Sequence, residues 1–356
     1  MTTRTGSPTP NALQITGLRE LGMSLGFAGA VRAAVRLGAP DALGDEPADV
    51  AAIASAIGAD TETLDRLMRA LTSHGVFEEV AERVYAHTAS SRLLREDAPV
   101  GVRYMVLWAT APWTWRAWPR LDEAVRSGKA VFPDIYGKEF FAYLREEDAA
   151  SAEVFDRAMT QSSAITSAAV AATLDLRGVG TVADIGGGQG HLLRTLLEAD
   201  PALHGVLFDL EGVVAGADPA LRPGGALAGR TRIIGGDCRQ GIGAGADLYI
   251  YKNVLEWDDD STLAALRSVT DAARPGARVA LVQNLVDDSP EMKVTTTMDL
   301  FLLLNVGGRK HTRRSLAGLM ERAGIEPGEV RPVPDTSLHV VEGTVADAAA
   351  GTGEGS

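Results

Sequence analysis

The 356-residue sequence contains a single cysteine, Cys238. A disulfide within the chain is therefore excluded, as is any zinc site built on several thiolates. Histidine is scarce as well: six occur, scattered singly and without a pair at helical ligand spacing, so no metal is expected. Long apolar runs are missing too, with no stretch of about 18 residues from which a membrane span could be built. The first ten residues lack the apolar segment of a secretory signal. The chain is expected to work in the cytoplasm with no membrane partner. Basic residues are outnumbered, 34 Lys and Arg against 47 Asp and Glu, for a formal net charge of −13. Binding a polyanion relies on clustered cations that release counterions, so no nucleic-acid partner is expected. Aromatic residues make up only 5% of the chain, which makes any local concentration of them informative.

Apolar matter is plentiful, at 46%, enough for more than one core in a chain of this length. Residues 1–11 and 345–356 read as tails poor in core-forming side chains. Between them, residues 12–98 begin with apolar positions at helical spacing (Leu13, Ile15, Leu18, Leu21, Met23, Leu25, Phe27, Val31, Val35) that cover most of a helix circumference. Such a helix needs more than one burial partner. Three shorter helical patterns and two strand-like runs, 75–80 and 83–87, follow in the order of a winged helix. Its third helix, Thr61 to Ser73, mixes Glu62 and Asp65 with Arg66 and Arg69, and nearby loops carry Asp45, Glu46, Asp49, Glu78, Glu79 and Glu82. A phosphate backbone would be repelled, which favours a dimerisation module over a DNA reader. Residues 99–176 look helical and hold four of the five tryptophans (Trp108, Trp113, Trp115, Trp118), with Phe132, Tyr136, Phe140, Phe141 and Tyr143 following. They make either a pocket for a flat ligand or packing between helices.

In residues 177–344 the texture changes. Short apolar runs at 181–185, 205–209, 231–234, 247–251 and 278–282 alternate with helical stretches, as in a parallel sheet covered on both faces. A terminal pair, 329–333 and 337–342, would add an antiparallel edge. The first run leads into Asp184-Ile-Gly-Gly-Gly-Gln-Gly190 and then a helix. Without Cβ atoms such a loop turns tightly and lies close against a ligand at the carboxyl edge of the sheet. Asp209 ends the second run, where a carboxylate can accept both hydroxyls of a ribose. The glycine spacing is not that of a dinucleotide loop: counted from Gly186 the last glycine position falls on His191, and from Gly188 on Leu193. Asp184 at the mouth repels phosphate and suits a ligand with ammonium and sulfonium charge, which points to S-adenosylmethionine as cofactor.

Together with Phe155-Asp-Arg-Ala-Met159, Phe208-Asp-Leu210, Gly236-Asp-Cys238, Glu256-Trp-Asp-Asp259, Arg274-Pro-Gly-Ala-Arg278, Asn305-Val-Gly-Gly308 and Thr312, this loop resembles that of a known family. It is similar to the small-molecule O-methyltransferases that include plant caffeate-type enzymes and bacterial enzymes tailoring aromatic polyketides. The resemblance spans roughly Leu13 to Glu342. It implies a doubly wound, Rossmann-like α/β methyltransferase sheet preceded by a helical winged-helix dimerisation domain, and hence a homodimer. It implies methyl transfer to a hydroxyl of a small aromatic intermediate in antibiotic biosynthesis. By the same resemblance Gly186, Gly188 and Asp209 hold the methionine and ribose parts of the cofactor, Asp237 and Cys238 sit by the adenine, and Lys252 meets the carboxylate. Phe155, Met159, Phe301 and Asn305 fall where the family lines its substrate pocket.

The pattern breaks at the base. Many members carry a histidine in Val-Leu-His-Asp/Glu-Trp, whereas this chain reads Lys252-Asn-Val-Leu-Glu-Trp257. Its two flanking glutamates fall at Gln283 and Lys310. Glu256 and His311 are the replacement candidates. Three other readings stay open: methylation of an aromatic carbon, which loses its proton only after attack; use of the cofactor's cation without methyl transfer; and, disfavoured by the acidic winged helix, a DNA-binding regulator that senses S-adenosylmethionine.

Overall fold

The computed structural model describes residues 12–347; the expected tail 1–11 and most of the expected tail 345–356 lie outside them. The chain forms two compact units, one ending at Ala111 and the other beginning at Pro112. Among the described residues no helix is long and apolar enough to cross a membrane.

The first unit opens with the helix Ala12–Leu37. Its second half packs Phe27, Val31 and Ala34 against Leu43, Val50, Ile53, Leu64, Met68, Leu71, Phe77 and Tyr85. These come from the helices Ala39–Leu43, Val50–Ile57 and Thr61–Ser73 and from a small sheet. The sheet joins β1 (Ala48–Asp49), β2 (Phe77–Ala81) and β3 (Val84–His87) in the order β1-β3-β2. Asp49 and Asp60 start two of the helices by accepting from Ala51 N at 2.7 Å and Thr63 N at 2.9 Å, which satisfies otherwise orphaned donors. Asp65, one of the acids read as surface charge, is buried and accepts from the Tyr85 hydroxyl at 2.8 Å.

Two expectations shift here. The helix Arg103–Ala109 belongs with this unit rather than with the region 99–176, because Arg103 reaches Val35 O and Asp41 while Arg32 donates to Leu107 O at 2.7 Å. The first half of the long helix finds no burial partner among the described residues: Leu13, Leu18 and Leu21 are 82%, 72% and 71% exposed.

The second unit is built on seven strands: β4 (Thr181–Ile185), β5 (His204–Asp209), β6 (Thr231–Gly235), β7 (Leu248–Lys252), β8 (Arg278–Gln283), β9 (Ile325–Pro332) and β10 (His339–Val345). Their order is β6-β5-β4-β7-β8-β10-β9, parallel from β6 through β8, with β10 antiparallel to both β8 and β9. The edge pair was expected, but its strands are longer. Val345, assigned to the tail, is the last residue of β10 and donates to Ala277 O at 2.9 Å.

Alternation along the strands sorts the side chains. Ala183, Ile185, Phe208, Tyr249 and Tyr251 face the helices Asp259–Ala272 and Arg313–Arg322. Val182, Leu207, Leu248 and Ile250 face the helices Ala149–Thr173 and His191–Ala199. Gly205 makes that second packing possible, since a Cβ there would stand 2.6 Å from Leu193 Cδ1. The order reverses between β4 and β7, the point at which open sheets of this kind bind ligands at their carboxyl ends.

Candidate active site

Strand parity assembles the charged residues of the site. Asp184 pairs in register with Leu207 and Ile250, so Asp209 and Lys252, each two residues further on, point to the same face as Asp184. That face lies under the helix Ala149–Thr173. Over it turns the glycine loop. Gly186, Gly188 and Gly190 have φ of 66°, 62° and 87°, a region that only glycine enters freely. A Cβ at Gly186 would meet Val254 Cγ2 at 2.6 Å and one at Gly187 would meet the Asp184 carboxyl at 2.7 Å. At Gly188 a Cβ would stand in open space, so this residue fronts the site.

Asp209 holds the loop in place. Its two carboxylate oxygens accept from Gly188 N at 2.8 Å and Leu210 N at 2.7 Å. Burial raises its pKa, and those two N–H groups oppose the shift. A carboxylate offers about four lone-pair positions, which leaves two for a ligand. Asp184 is buried, with its Oδ2 meeting no donor among the described residues, and burial pushes its pKa up to about 7 against the attraction of Lys252. Lys252, pushed down to about 8 by burial with Asp184 opposing, donates to Ser163 Oγ at 3.0 Å.

At the end of β6, Arg239 grips Asp237, with Nη2 2.7 Å from Oδ2, and lies 5.4 Å from the Trp257 ring centroid. The Arg239 hydrogen bonds hold the Asp237 carboxyl below the usual carboxylate range. Cys238 is buried, and burial pushes its thiol up to about 12, so it stands there as a small neutral neighbour.

The helix Ala149–Thr173 carries Phe155, Met159, Ser163 and Ser167 four residues apart, on one face. Phe155 joins an aromatic network through Phe140, at 6.4 Å, and Phe140 contacts Trp113 at 5.0 Å, which contacts Phe301 at 6.0 Å. Asn305, one turn beyond Phe301 and 1% exposed, donates from Nδ2 to Phe301 O at 2.8 Å while its Oδ1 meets no partner among the described residues. Aromatic packing and a pocket wall thus coincide: Phe155 and Phe301 are two ends of one cluster.

The segment after β7 is clamped on both sides. Val254 packs on Gly186, and the Glu256 carbonyl lies so close to Gly308 that a Cβ there would clash with it. Arg309 reaches Asp259 at 2.6 Å. Glu256 pairs with Lys310, which is only 8% exposed. His311 is buried, and its pKa is pushed down to about 4 by burial with Arg309 beside it. Leu255 is in the core and its carbonyl accepts from Gln283 Nε2 at 3.3 Å. Of the two candidate bases, Glu256 is half of an ion pair, and His311 is a core histidine whose Nε2 meets no partner among the described residues and whose burial lowers its basicity.

Sequence reasoning missed three of these contacts. The four-residue ladder that places Phe155 and Met159 continues to Ser163, so the Lys252 anchor was readable. The Arg239–Asp237 pair was also readable, as a basic residue two positions after the acid. The Glu256–Lys310 pair joins distant segments and left no local signal.

A family profile for the O-methyltransferase domain matches residues 118–326, and one for the O-methyltransferase dimerisation domain matches 24–97. The chain belongs to the O-methyltransferases. A mitomycin biosynthesis 6-O-methyltransferase of Streptomyces lavendulae is 37% identical over 315 residues, 88% of this chain and 89% of that protein. The solved structure of a mitomycin 7-O-methyltransferase superposes with a TM-score of 0.84 at 35% identity, covering 94% of this chain and 98% of the other. An O-methyltransferase from neocarzinostatin biosynthesis, solved with S-adenosylmethionine and 2-hydroxy-5-methyl naphthoic acid, gives a TM-score of 0.75 at 30% identity over 90% and 96%. This O-methyltransferase is accordingly an enzyme with a Rossmann-like sheet that uses S-adenosylmethionine.

The residues present fit that cofactor. A buried, unpartnered Asp184 oxygen beside a loop of left-handed glycines suits a cation, and the spare lone pairs of Asp209 suit a ribose. One expected outcome follows from the charge states. Asp184 attracts an ammonium only when ionised, so affinity for S-adenosylmethionine should fall as pH drops through about 7, approaching tenfold per unit. Calorimetric titration between pH 5.5 and 7.5 should show this limb for S-adenosylmethionine, a flat profile for methylthioadenosine, which has no ammonium, and no limb in Asp184→Asn.

Proposed function

We propose that this enzyme transfers the methyl group of S-adenosylmethionine to a hydroxyl of a small aromatic natural-product intermediate. The observation that carries the reading is one helix face. Phe155 and Met159 stand on it about 12 Å or less along the axis from Ser163, which holds Lys252, so a flat apolar wall runs directly into the charged end of the cofactor site. Gly186, Gly188, Asp209, Asp184 and Lys252 bind the cofactor, with Asp237 and Cys238 at the adenine end; Phe155, Met159, Phe301 and Asn305 orient the acceptor. When bound, the cofactor supplies an electrophilic methyl on a sulfonium. The protein's own contribution is alignment, which can be worth as much as a chemical catalyst. One relative is named for mitomycin biosynthesis and another for 7-O-methylation of 2,7-dihydroxy-5-methyl-1-naphthoate, an aromatic acceptor. Incubation with methyl-labelled S-adenosylmethionine and naphthalene-type acceptors tests the reading: the product gains one methyl and keeps all its ring protons. A lost ring proton would mean carbon methylation, and an unchanged mass would mean no transfer.

The amino-terminal unit, a long helix and three shorter ones followed by a hairpin, is proposed to act as a winged-helix dimerisation module in a cytoplasmic homodimer. Its support is the dimerisation-domain match and the exposed Leu13, Leu18 and Leu21; an apolar row of that size marks a protein interface. Light scattering should give twice the chain mass for the native protein and a monomer for Leu18→Glu with Leu21→Glu. A native monomer at micromolar concentration would defeat the proposal.

A further inference from the structure

We propose, building on the O-methylation reading, that this enzyme takes acceptors whose hydroxyl is already ionised at neutral pH: hydroxyls made acidic by conjugation to a carbonyl, as in a hydroxyquinone or an enolised dicarbonyl. The balance of the reaction sets the problem. A new O–CH3 bond forms as the S–CH3 bond breaks, and the electron pair of that bond stays on sulfur. From a neutral hydroxyl one proton must also leave; from an oxyanion none does, and the negative and positive charges cancel.

Among the described residues no titratable side chain stands at the family histidine's place to take that proton. The segment Lys252–Trp257 lacks the family histidine, and Leu255, the residue at its place in an ungapped match, is fully buried in the core. Glu256 is committed to Lys310. His311 keeps an unpartnered Nε2 but is 1% exposed, and burial, with Arg309 and Lys310 beside it, disfavours its protonation, which makes it a weak base. Gln283 and Lys310, an amide and an ammonium, stand where related enzymes carry glutamates, and the Gln283 amide is used on the Leu255 carbonyl. Asp299 accepts from Lys310 N at 2.6 Å. Asp156 lies beside Asp209 and Arg145, at the ribose end. The whole group that holds and polarises a base elsewhere in the family has been replaced here, not its histidine alone.

Magnitudes say what can stand in for it. A phenol of pKa near 10 is ionised in about one molecule in a thousand at pH 7, and a general base is typically worth 10²- to 10⁴-fold. An acceptor that is fully ionised recovers about the same factor with no base at all.

The test uses the full-length enzyme with S-adenosylmethionine kept saturating at every pH, so that the Asp184 limb in cofactor affinity does not enter, and two probes of one ring size, 2-hydroxy-1,4-naphthoquinone, an anion at neutral pH, and 2-naphthol. The expected result is O-methylation of the quinone with kcat/KM flat from pH 6 to 9, and of the naphthol at least a hundredfold more slowly, rising tenfold per pH unit. As a readout apart from turnover, the quinone bound to the S-adenosylhomocysteine complex should keep the visible absorption of its anion. A naphthol profile that bends between pH 6 and 8, with the bend abolished in Glu256→Gln or His311→Asn, would reveal a base and overturn the inference while leaving O-methylation intact. Methylation on carbon, or of neither probe while S-adenosylhomocysteine still binds, would overturn the O-methylation reading itself.

Discussion

Asp209→Ala is expected to weaken S-adenosylmethionine binding by a hundredfold or more in calorimetric titration while shifting the melting temperature by no more than a few degrees. The carboxylate has two tasks. It accepts from Gly188 N and Leu210 N, fixing the front of the glycine loop, and it retains two lone-pair positions for the ribose. Hydrogen bonds to a charged group are each worth about 1.5–3 kcal/mol, so losing two to the ligand alone predicts about 10²- to 10⁴-fold. Stability responds differently. Burial raises the Asp209 pKa, which means that the folded protein holds this charge at a cost, and alanine relieves that cost while leaving two N–H groups at the edge of a ligand cleft. The terms oppose each other in folding and add in binding. Asp209→Asn should be little better, because its NH2 cannot accept from the two backbone donors. A change in affinity below fivefold would show that the ribose is held elsewhere.

How much of this was legible depended on the range over which each feature is determined. Period-two and glycine patterns are local, so the five parallel strands and the loop from Asp184 to Gly190 could be placed from residues alone. Once β4, β5 and β7 are in register, parity forces Asp184, Asp209 and Lys252 onto one face, and no further information is needed. Trp108 was grouped with the later tryptophans because composition cannot see that Arg32 and Arg103 tie its helix to the first unit. Asp65 read as surface charge because nothing nearby in sequence announces the Tyr85 hydroxyl beneath it. The role of Glu256 was open for the same reason. A carboxylate next to Trp257 looks available until Lys310, 54 residues on, is brought against it. Legibility failed wherever a side chain's protonation or freedom is decided by a partner from another segment.

Gly308→Ala is expected to impair both stability and turnover. The reason is steric and involves backbone: an added Cβ would stand 1.8 Å from the Glu256 carbonyl oxygen, 2.8 Å from its carbon and 3.0 Å from Trp257 Cα. A clash with a side-chain end is relieved by a rotamer change, as at Gly205, where flexible Leu193 can yield. Here two loops must part by more than 1 Å. The same loops carry the Glu256–Lys310 and Arg309–Asp259 pairs and, through Val254, back the Gly186 turn, so the movement reaches both the cofactor and the acceptor side. Overpacking typically costs about 1–3 kcal/mol, and in a unit of this size each kcal/mol lowers the melting temperature by about 2–4 °C. Displacement of the aligned groups by about 1 Å can cost a hundredfold in rate. The expected variant is folded, melts several degrees lower, and retains less than a hundredth of native kcat with a moderately weakened cofactor. Native kcat in Gly308→Ala would mean that the two loops separate without disturbing the reacting groups, and that the clamp around Glu256 has no part in alignment.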